Sequence, residues 1–414
     1  MKFTTLPVTP LLQNCSLLQC EETGKGALVD PGGDIALYVH WPFCLSLCPY
    51  CDFNSHVRET IDQGAWRDGL LRELEHYAAR VPGRRLTSIF FGGGTPSLMP
   101  PETARAVIAR ARELFVPDPE IEITLEANPT SVEQSALVGF AEAGVNRLSL
   151  GVQALDDAAL SALGRTHAVS EARAAIAAAA DIFERFSFDL IYARPGQTPD
   201  AWMRELDGAL ALTRGHLSVY QLTIEAGTPF FLAQARGDLQ LPDEADGATM
   251  FEQTQDALAA AGLPAYEISN HAVPGQESRH NLTYWHYRDY LGVGPGAHGR
   301  ITLDGEIRAT RQHRAPEVWL KRALEHGHAT QDDAVLPYET LTAELIMMGL
   351  RLTEGIDAGE FTRRIGKRPG DVFAPSTIEA LVDAGYLDWR DDGFAATPAG
   401  RQRLNAVVDA LLNS

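Results

Sequence analysis

The chain has 414 residues, 45% hydrophobic and 22% charged, an ordinary globular composition that excludes a disordered, collagen-like or coiled-coil protein. Against 35 Lys and Arg stand 55 Asp and Glu, a net charge of −20. The basic footprint needed to wrap nucleic acid or to cling to anionic lipid is therefore missing, and no run reaches the ~18 apolar residues of a membrane helix.

Residues 1–34 read as a flexible N-terminal extension of a cytoplasmic protein. Lys2 and a Leu-rich run suggest a signal sequence, but Pro7, Pro10, Gln13 and Asn14 interrupt it and no small-residue cleavage site follows. Cys15 and Cys20 lie here with no third thiol nearby and read as free thiols. The other three cysteines, Cys44, Cys48 and Cys51, fall within eight residues. An odd total so distributed is no disulfide framework; it indicates metal ligation in a reducing compartment.

From residue 35 to 222 short apolar strands alternate with amphipathic helices. Strands are expected at Ile35–His40, Ser88–Phe91, Ile121–Glu126, Arg147–Leu150, Ser187–Ile191 and Leu217–Gln221. Helices are expected at Gly64–Arg80, Pro101–Leu114, Val132–Ala143, Ser170–Phe183 and Pro199–Thr213. This is an α/β core with a parallel sheet buried on both faces. Periodicity leaves open whether it is a doubly wound open sheet or a partial barrel. Residues 223–336 are less regular, with one helix at Asp243–Ala261. Residues 337–414 give helices at Tyr338–Leu350, Asp357–Ile365 and Pro375–Ala384, a hairpin over Leu387–Ala396 turning at Asp392-Gly393, and a last helix Ala399–Leu412. That is a winged-helix-like outline. Its eight basic and twelve acidic side chains, a net of −4, favour a packing or lid domain over DNA readout.

The densest chemical signal is the run from Tyr38 to Phe53. Its three thiols, four and three residues apart, lie directly after the first strand. Soft thiolates suit an iron–sulfur cluster or zinc, and a zinc site would be closed by His40, Asp52 or His56. Next, Gly92-Gly93-Gly94-Thr95-Pro96 ends the second strand, where bare backbone can approach a small polar ligand. Glu126, Gln153, Arg165 and Asp189 fall at or near the ends of later strands, on the face where α/β proteins bind ligands. A second cluster, Arg279-His280-Asn281-Leu-Thr-Tyr284-Trp285-His286, combines imidazoles with aromatic rings. It reads either as a packing seam or as a heme contact.

Together these motifs resemble the radical S-adenosylmethionine (radical SAM) superfamily. The strings Phe90–Ser97, Leu125–Pro129, Leu148–Gln153, Asp189–Tyr192 with Pro195–Thr198, and His280–Trp285 resemble its coproporphyrinogen-dehydrogenase-like branch, and within it the HemW family of heme chaperones. The resemblance spans residue 35 to the C-terminus. It implies a partial (β/α)6 barrel with additional β elements and a C-terminal winged-helix-like domain. It also implies a [4Fe–4S] cluster on Cys44, Cys48 and Cys51, with S-adenosylmethionine (SAM) on the remaining iron. Gly93, Gly94 and Thr95 would hold the amino group and carboxylate region of SAM, and Tyr38, Glu126, Gln153, Arg165 and Asp189 would line the rest. Reductive cleavage of the sulfonium would give a 5′-deoxyadenosyl radical. His280, Asn281, Tyr284 and Trp285 would contact heme as cargo. His280 is the first candidate for the iron ligand, with His271, His286 and His298 as substitutes. The partner would be an apo-hemoprotein. Two departures stand out. Phe53 replaces the extra cysteine of the true dehydrogenases, which argues against oxidative decarboxylation. Ala193-Arg194 stands where Gly-Leu is expected.

Overall fold

In the computed structural model, residues 2–7, 14–19 and 26–29 are described as backbone strands, and residues 33–414 in full except for the Val132 side chain. The three N-terminal strands, β1 (Lys2–Pro7), β2 (Asn14–Gln19) and β3 (Gly26–Val29), pair antiparallel into a small sheet of their own. The segment expected as a plain extension thus contains a meander. Cys15 falls on β2, whose side chains are not described, and Cys20 lies outside the described residues.

The core opens with β4 (Asp34–Trp41), followed by the two-residue strands β5 (Phe43–Cys44) and β6 (His56–Val57) that pair across the cysteine loop. Then come α1 (Gln63–Arg80), β7 (Arg85–Gly93), α2 (Pro101–Leu114), β8 (Val116–Ala127), α3 (Ser131–Gln134) and α4 (Leu137–Ala143). The unit continues with β9 (Arg147–Gln153), α5 (Asp157–Ala162), α6 (Val169–Ile182), β10 (Arg185–Tyr192), α7 (Pro199–Leu210) and β11 (His216–Gln221). The local reasons are ordinary. Asp62 and Thr198 cap α1 and α7 through their side chains, and Pro at the first turn starts α2 and α7. On α2, Ala104, Val107, Ile108 and Ala111 form one buried stripe, each large side chain contributing about 2 kcal/mol by leaving water.

The topology decides between the two architectures. Strands β4, β7, β8, β9, β10 and β11 lie side by side in chain order, all parallel. A doubly wound sheet reverses its strand order at a switch point; this one never does, so it winds in one direction as a (β/α)6 barrel segment.

The region after β11 does more than the sequence indicated. After α8 (Pro229–Ala235) and α9 (Glu244–Ala260), β12 (Asn270–Ala272) adds antiparallel to β11 at one edge. The short helix α10 (Arg279–Trp285) then leads to β13 (Tyr290–Val293), which pairs parallel to β4 at the other edge. Strands β14 (His298–Leu303) and β15 (Glu306–Gln312), helix α11 (Pro316–His326) and strand β16 (Thr330–Val335) follow. They extend the sheet to eleven strands.

The C-terminal part has its own core around Ile346, Phe361, Phe394 and Leu411. It comprises α12 (Tyr338–Gly349), β17 (Ile356–Asp357), α13 (Ala358–Ile365), α14 (Pro375–Asp383), the hairpin β18 (Leu387–Arg390) and β19 (Gly393–Ala396), and the helices α15 (Pro398–Gln402) and α16 (Leu404–Leu412). The hairpin turns one residue earlier than expected, and the last helix breaks at Arg403. Among the described residues no helix is long and apolar enough to cross a membrane.

Candidate functional site

A cavity of about 550 Å³ opens at the C-terminal ends of the parallel strands. Parallel β/α units deliver their loops to that face, so residues distant in sequence converge there. Cys44, Cys48 and Cys51 line one side. Gly93, Gly94 and Thr95 line the end of β7, and Glu126, Gln153, Arg165 and Asp189 line the walls. Ten of the residues expected from the sequence therefore share one cavity.

The cysteine loop is tied down by the glycines. Gly94 N donates to Trp41 O at 2.7 Å and Thr95 N to Phe43 O at 2.8 Å. A Cβ on Gly93 (φ +114°) would stand 2.6 Å from the His40 ring, and one on Gly94 would stand 2.8 Å from Phe43 O. Only glycine permits so close an approach. Gly93 N donates to Glu126 Oε2 at 3.2 Å. With all three amides engaged inside the protein, this rim suits a ligand's amine rather than its carboxylate, which revises half of the role expected for it.

All three cysteines are free and half-buried. Thr95 Oγ1 donates to Cys44 Sγ and Arg165 Nη1 to Cys48 Sγ, both at 3.4 Å. Burial pushes the thiols of Cys44 and Cys51 up, and the neighbouring cysteines push the same way. Such a trio stays thiolate only around a cationic centre. Closure by a fourth ligand on a single zinc fails on geometry. Among the described residues no three His, Cys, Asp or Glu side chains stand close enough to share one ion. His40 stands 3.0 Å from both Asn54 O and the Tyr38 hydroxyl, and His56 stands 3.2 Å from Asn54 Oδ1. The donor set fits a multi-iron cluster.

The walls are electrostatically unusual. Burial, then the charge of Asp189, pushes the Glu126 carboxyl up to about 8, against the pull of Gly93 N. Burial likewise pushes Asp189 up to about 6, opposed by hydrogen bonds from Ser218 and Ser149 and by Arg147 and Arg165. Two reluctant carboxylates in one cavity favour a cationic guest. Arg165 crosses the floor to Gly151 O at 2.9 Å and to Asn128 Oδ1. Gln153 sits at φ +71°, a conformation that a non-glycine residue holds only when its surroundings enforce it.

Two expectations change. Tyr38 does not line the cavity: its hydroxyl is on His40 Nδ1, and its ring lies beneath Gly92. Arg194 turns away to a buried ion pair with Glu205, its Nη1 3.2 Å from Oε1. The Ala193-Arg194 departure therefore leaves the cavity untouched.

The aromatic motif lies apart from this cavity. His280 has 0% exposure. Its Nδ1 is 2.8 Å from Ser88 Oγ and its Nε2 2.7 Å from the Tyr284 hydroxyl. Its ring stacks on Phe90 at 4.9 Å, and burial pushes its pKa down to about 3. Both ring nitrogens are occupied, so in this conformation His280 cannot be the iron ligand expected of it. His271 is equally buried. His286, 3.3 Å from Glu354, is half-buried and His298 is exposed. Ser278 caps α10, its hydroxyl accepting from the Asn281 backbone N–H at 3.3 Å. The Trp285 ring lies 4.5 Å under the Arg351 guanidinium, and its indole N–H is buried with no acceptor among the described residues. The sequence reading missed Asn128, Tyr50 and Arg351 as cavity residues. Asn128 sits inside the quoted Glu126-Ala-Asn-Pro string and could have been found; Arg351 lies in the C-terminal region and carried no local signal.

A family model described as the radical SAM superfamily matches residues 38–207, and one described as the HemN C-terminal domain matches residues 336–403. The chain is 42% identical over 402 residues to radical S-adenosyl methionine domain-containing protein 1, mitochondrial, of Bos taurus, covering 95% of this chain and 90% of that one. It is 36% identical over 381 residues to the heme chaperone HemW of Escherichia coli (strain K12), covering 91% and 98%. Among solved structures, the coproporphyrinogen III oxidase HemN of Escherichia coli shares the fold with a TM-score of 0.75 at 23% identity, covering 92% of this chain and 90% of that one.

Proposed function

The chain belongs to the radical SAM superfamily, within the family of the HemW heme chaperones, and from that membership we propose that it binds heme and delivers it to an apo-hemoprotein. Cys44, Cys48 and Cys51 would hold the [4Fe–4S] cluster, and SAM would lie against Gly93, Gly94 and Thr95 with its positive charge toward Glu126 and Asp189. When bound, the cluster and SAM supply one-electron chemistry at the sulfonium. The protein's share is to shield the thiolates, to neutralise the ligand's charge with two buried carboxyls, and to keep Arg165 over the Cys48 sulfur.

The observation that carries this reading is the rim of the cavity. The residues that would hold the cluster and SAM line one cavity, and the position of the additional dehydrogenase thiol is Phe53, 63% exposed on that rim. A side chain with no acid–base or redox chemistry there supports carriage over oxidative decarboxylation. The compartment we propose is the cytoplasm, whose reducing poise preserves free thiols.

The test is anaerobic. The protein is reconstituted with iron and sulfide, titrated with heme, and mixed with apomyoglobin. Stoichiometric heme uptake followed by transfer supports the reading. Carbon dioxide release from coproporphyrinogen III, with no heme uptake, overturns it in favour of the dehydrogenase.

A further inference from the structure

One wall of the cavity is made by residues to which neither the cluster nor SAM has been assigned. The sheet order puts β11 five strands away from β4. This wall is built by Tyr220 and Gln221 at the end of β11 and Thr223 just after it, by Ile268 and Ser269 before β12, and by Arg351 reaching over from just past α12.

Two guanidinium groups line the cavity among the described residues, Arg165 and Arg351. Arg165 is committed beside the cysteine loop, on Cys48, Asn128 and Gly151. Arg351 is held differently. Its Nε and Nη2 both donate to one oxygen of Glu267, at 3.1 and 2.8 Å. The other oxygen of Glu267 takes Ser269 N at 2.9 Å and Asn270 Nδ2 at 2.7 Å. The Arg351 plane rests on Trp285. Glu267 is 0% exposed while Arg351 remains 29% exposed. A carboxylate and an aromatic ring thus hold the guanidinium rigid, with Nη1 unengaged among the described residues, in the wall of a cavity. On the cysteine loop that lines the same cavity, Leu45 and Phe53 are 62% and 63% exposed.

A pre-set guanidinium facing a cavity with an apolar rim fits a ligand that is apolar in body and carboxylated at one edge. We infer that Arg351 is the carboxylate-recognition residue of a second ligand subsite, which engages a propionate of the heme cargo at the cavity wall formed by the end of β11 and the start of β12. This rests on the heme-chaperone reading and deepens it. It also places cargo recognition at the SAM cavity, away from the buried His280.

The experiment compares heme with heme dimethyl ester, in which both carboxylates are masked. Both are titrated into the full-length, cluster-reconstituted protein in the presence of SAM. Wild type should bind heme about 10- to 100-fold more tightly than the ester, the ratio expected for one charge-assisted hydrogen-bonded pair. In Arg351→Gln the ratio should collapse to near one, through loss of heme affinity with ester affinity retained. Because that substitution strands the buried Glu267 carboxylate, the double variant Arg351→Gln/Glu267→Gln is measured beside it; a folded double variant must show the same collapse. A wild type that binds heme and ester equally, or variants that keep the preference, would overturn the inference and leave the chaperone reading standing. A wild type that binds neither would overturn the chaperone reading itself.

Discussion

His280 Nε2 and the Tyr284 hydroxyl, one helical turn apart on α10, stand 2.7 Å from each other inside the barrel, with Ser88 closing the other ring nitrogen at 2.8 Å. The imidazole is a neutral packing element with both nitrogens satisfied. His280→Ala should therefore lower stability by about 3 kcal/mol, through the cavity and the stranded Tyr284 and Ser88 hydroxyls. The Soret maximum of bound heme should stay at its wild-type wavelength. Denaturant unfolding and absorption spectra check this; a changed iron coordination signature would mean that α10 opens to bind.

Cys48→Ser should abolish the cluster. The buried site holds its thiolates only around a cation, and a hydroxyl is a poor soft donor. Iron and acid-labile sulfide should both fall to background after reconstitution, while circular dichroism stays near wild type. Stoichiometric zinc in the wild type as isolated, without sulfide, would contradict the assignment.

Affinity for SAM should rise between pH 6 and pH 8. Glu126, pushed up to about 8, and Asp189, pushed up to about 6, hold protons in the ligand-free cavity. A cationic ligand binds the ionised forms, so those protons must leave on binding and higher pH helps. Glu126→Gln should weaken binding about tenfold at pH 8 and flatten the pH dependence. Calorimetric titration at several pH values reads both.

Glu73 should give the fold its own pH dependence. It is fully buried on α1 and accepts from Gly294 N, Trp319 Nε1 and Ala329 N, each at 2.8 Å. Burial nevertheless pushes its carboxyl up from 4.5 to about 7. A folded value above the unfolded one means that its contribution is fully present below pH 4.5 and is lost as pH rises through about 7. The loss between those limits is on the order of 3 kcal/mol. Glu73→Gln should therefore change stability less between pH 5 and pH 8 than wild type does, as read by urea unfolding.

Arg194→Ala should cost roughly 3 kcal/mol of stability, because it leaves Glu205 buried beside a lost partner. SAM affinity should be unchanged, since Arg194 faces away from the cavity. A large fall in SAM binding by a protein of normal melting temperature would show that this side chain reaches the ligand after all.

Much of this was readable in the chain because it is locally encoded. The six core strands and most of their helices follow from apolar runs, caps and first-turn prolines, which act over a few residues. The loop that brings three thiols together was legible because Cys44, Cys48 and Cys51 fall within eight residues. So was the rim at Glu126, Gln153 and Asp189, because each lies in the C-terminal half of a strand and parallel strands end on one face. The engagement of the Gly93, Gly94 and Thr95 amides was not legible, since their acceptors lie on β4, the cysteine loop and Glu126.

By itself the sequence determined the family, the grouping of Cys44, Cys48 and Cys51 on one loop and the α/β order of the core, because those depend on residue type and on spacing along the chain. The tertiary structure decided three things that spacing cannot carry. Strand order made the core a singly wound barrel segment, and β13 came to lie beside β4 from 250 residues away. Burial turned His280 from a candidate ligand into a packed, doubly bonded core residue. The docking of the C-terminal region brought Arg351 into the cavity wall. Each outcome depends on which surfaces exclude water together, and that is settled only when distant segments pack.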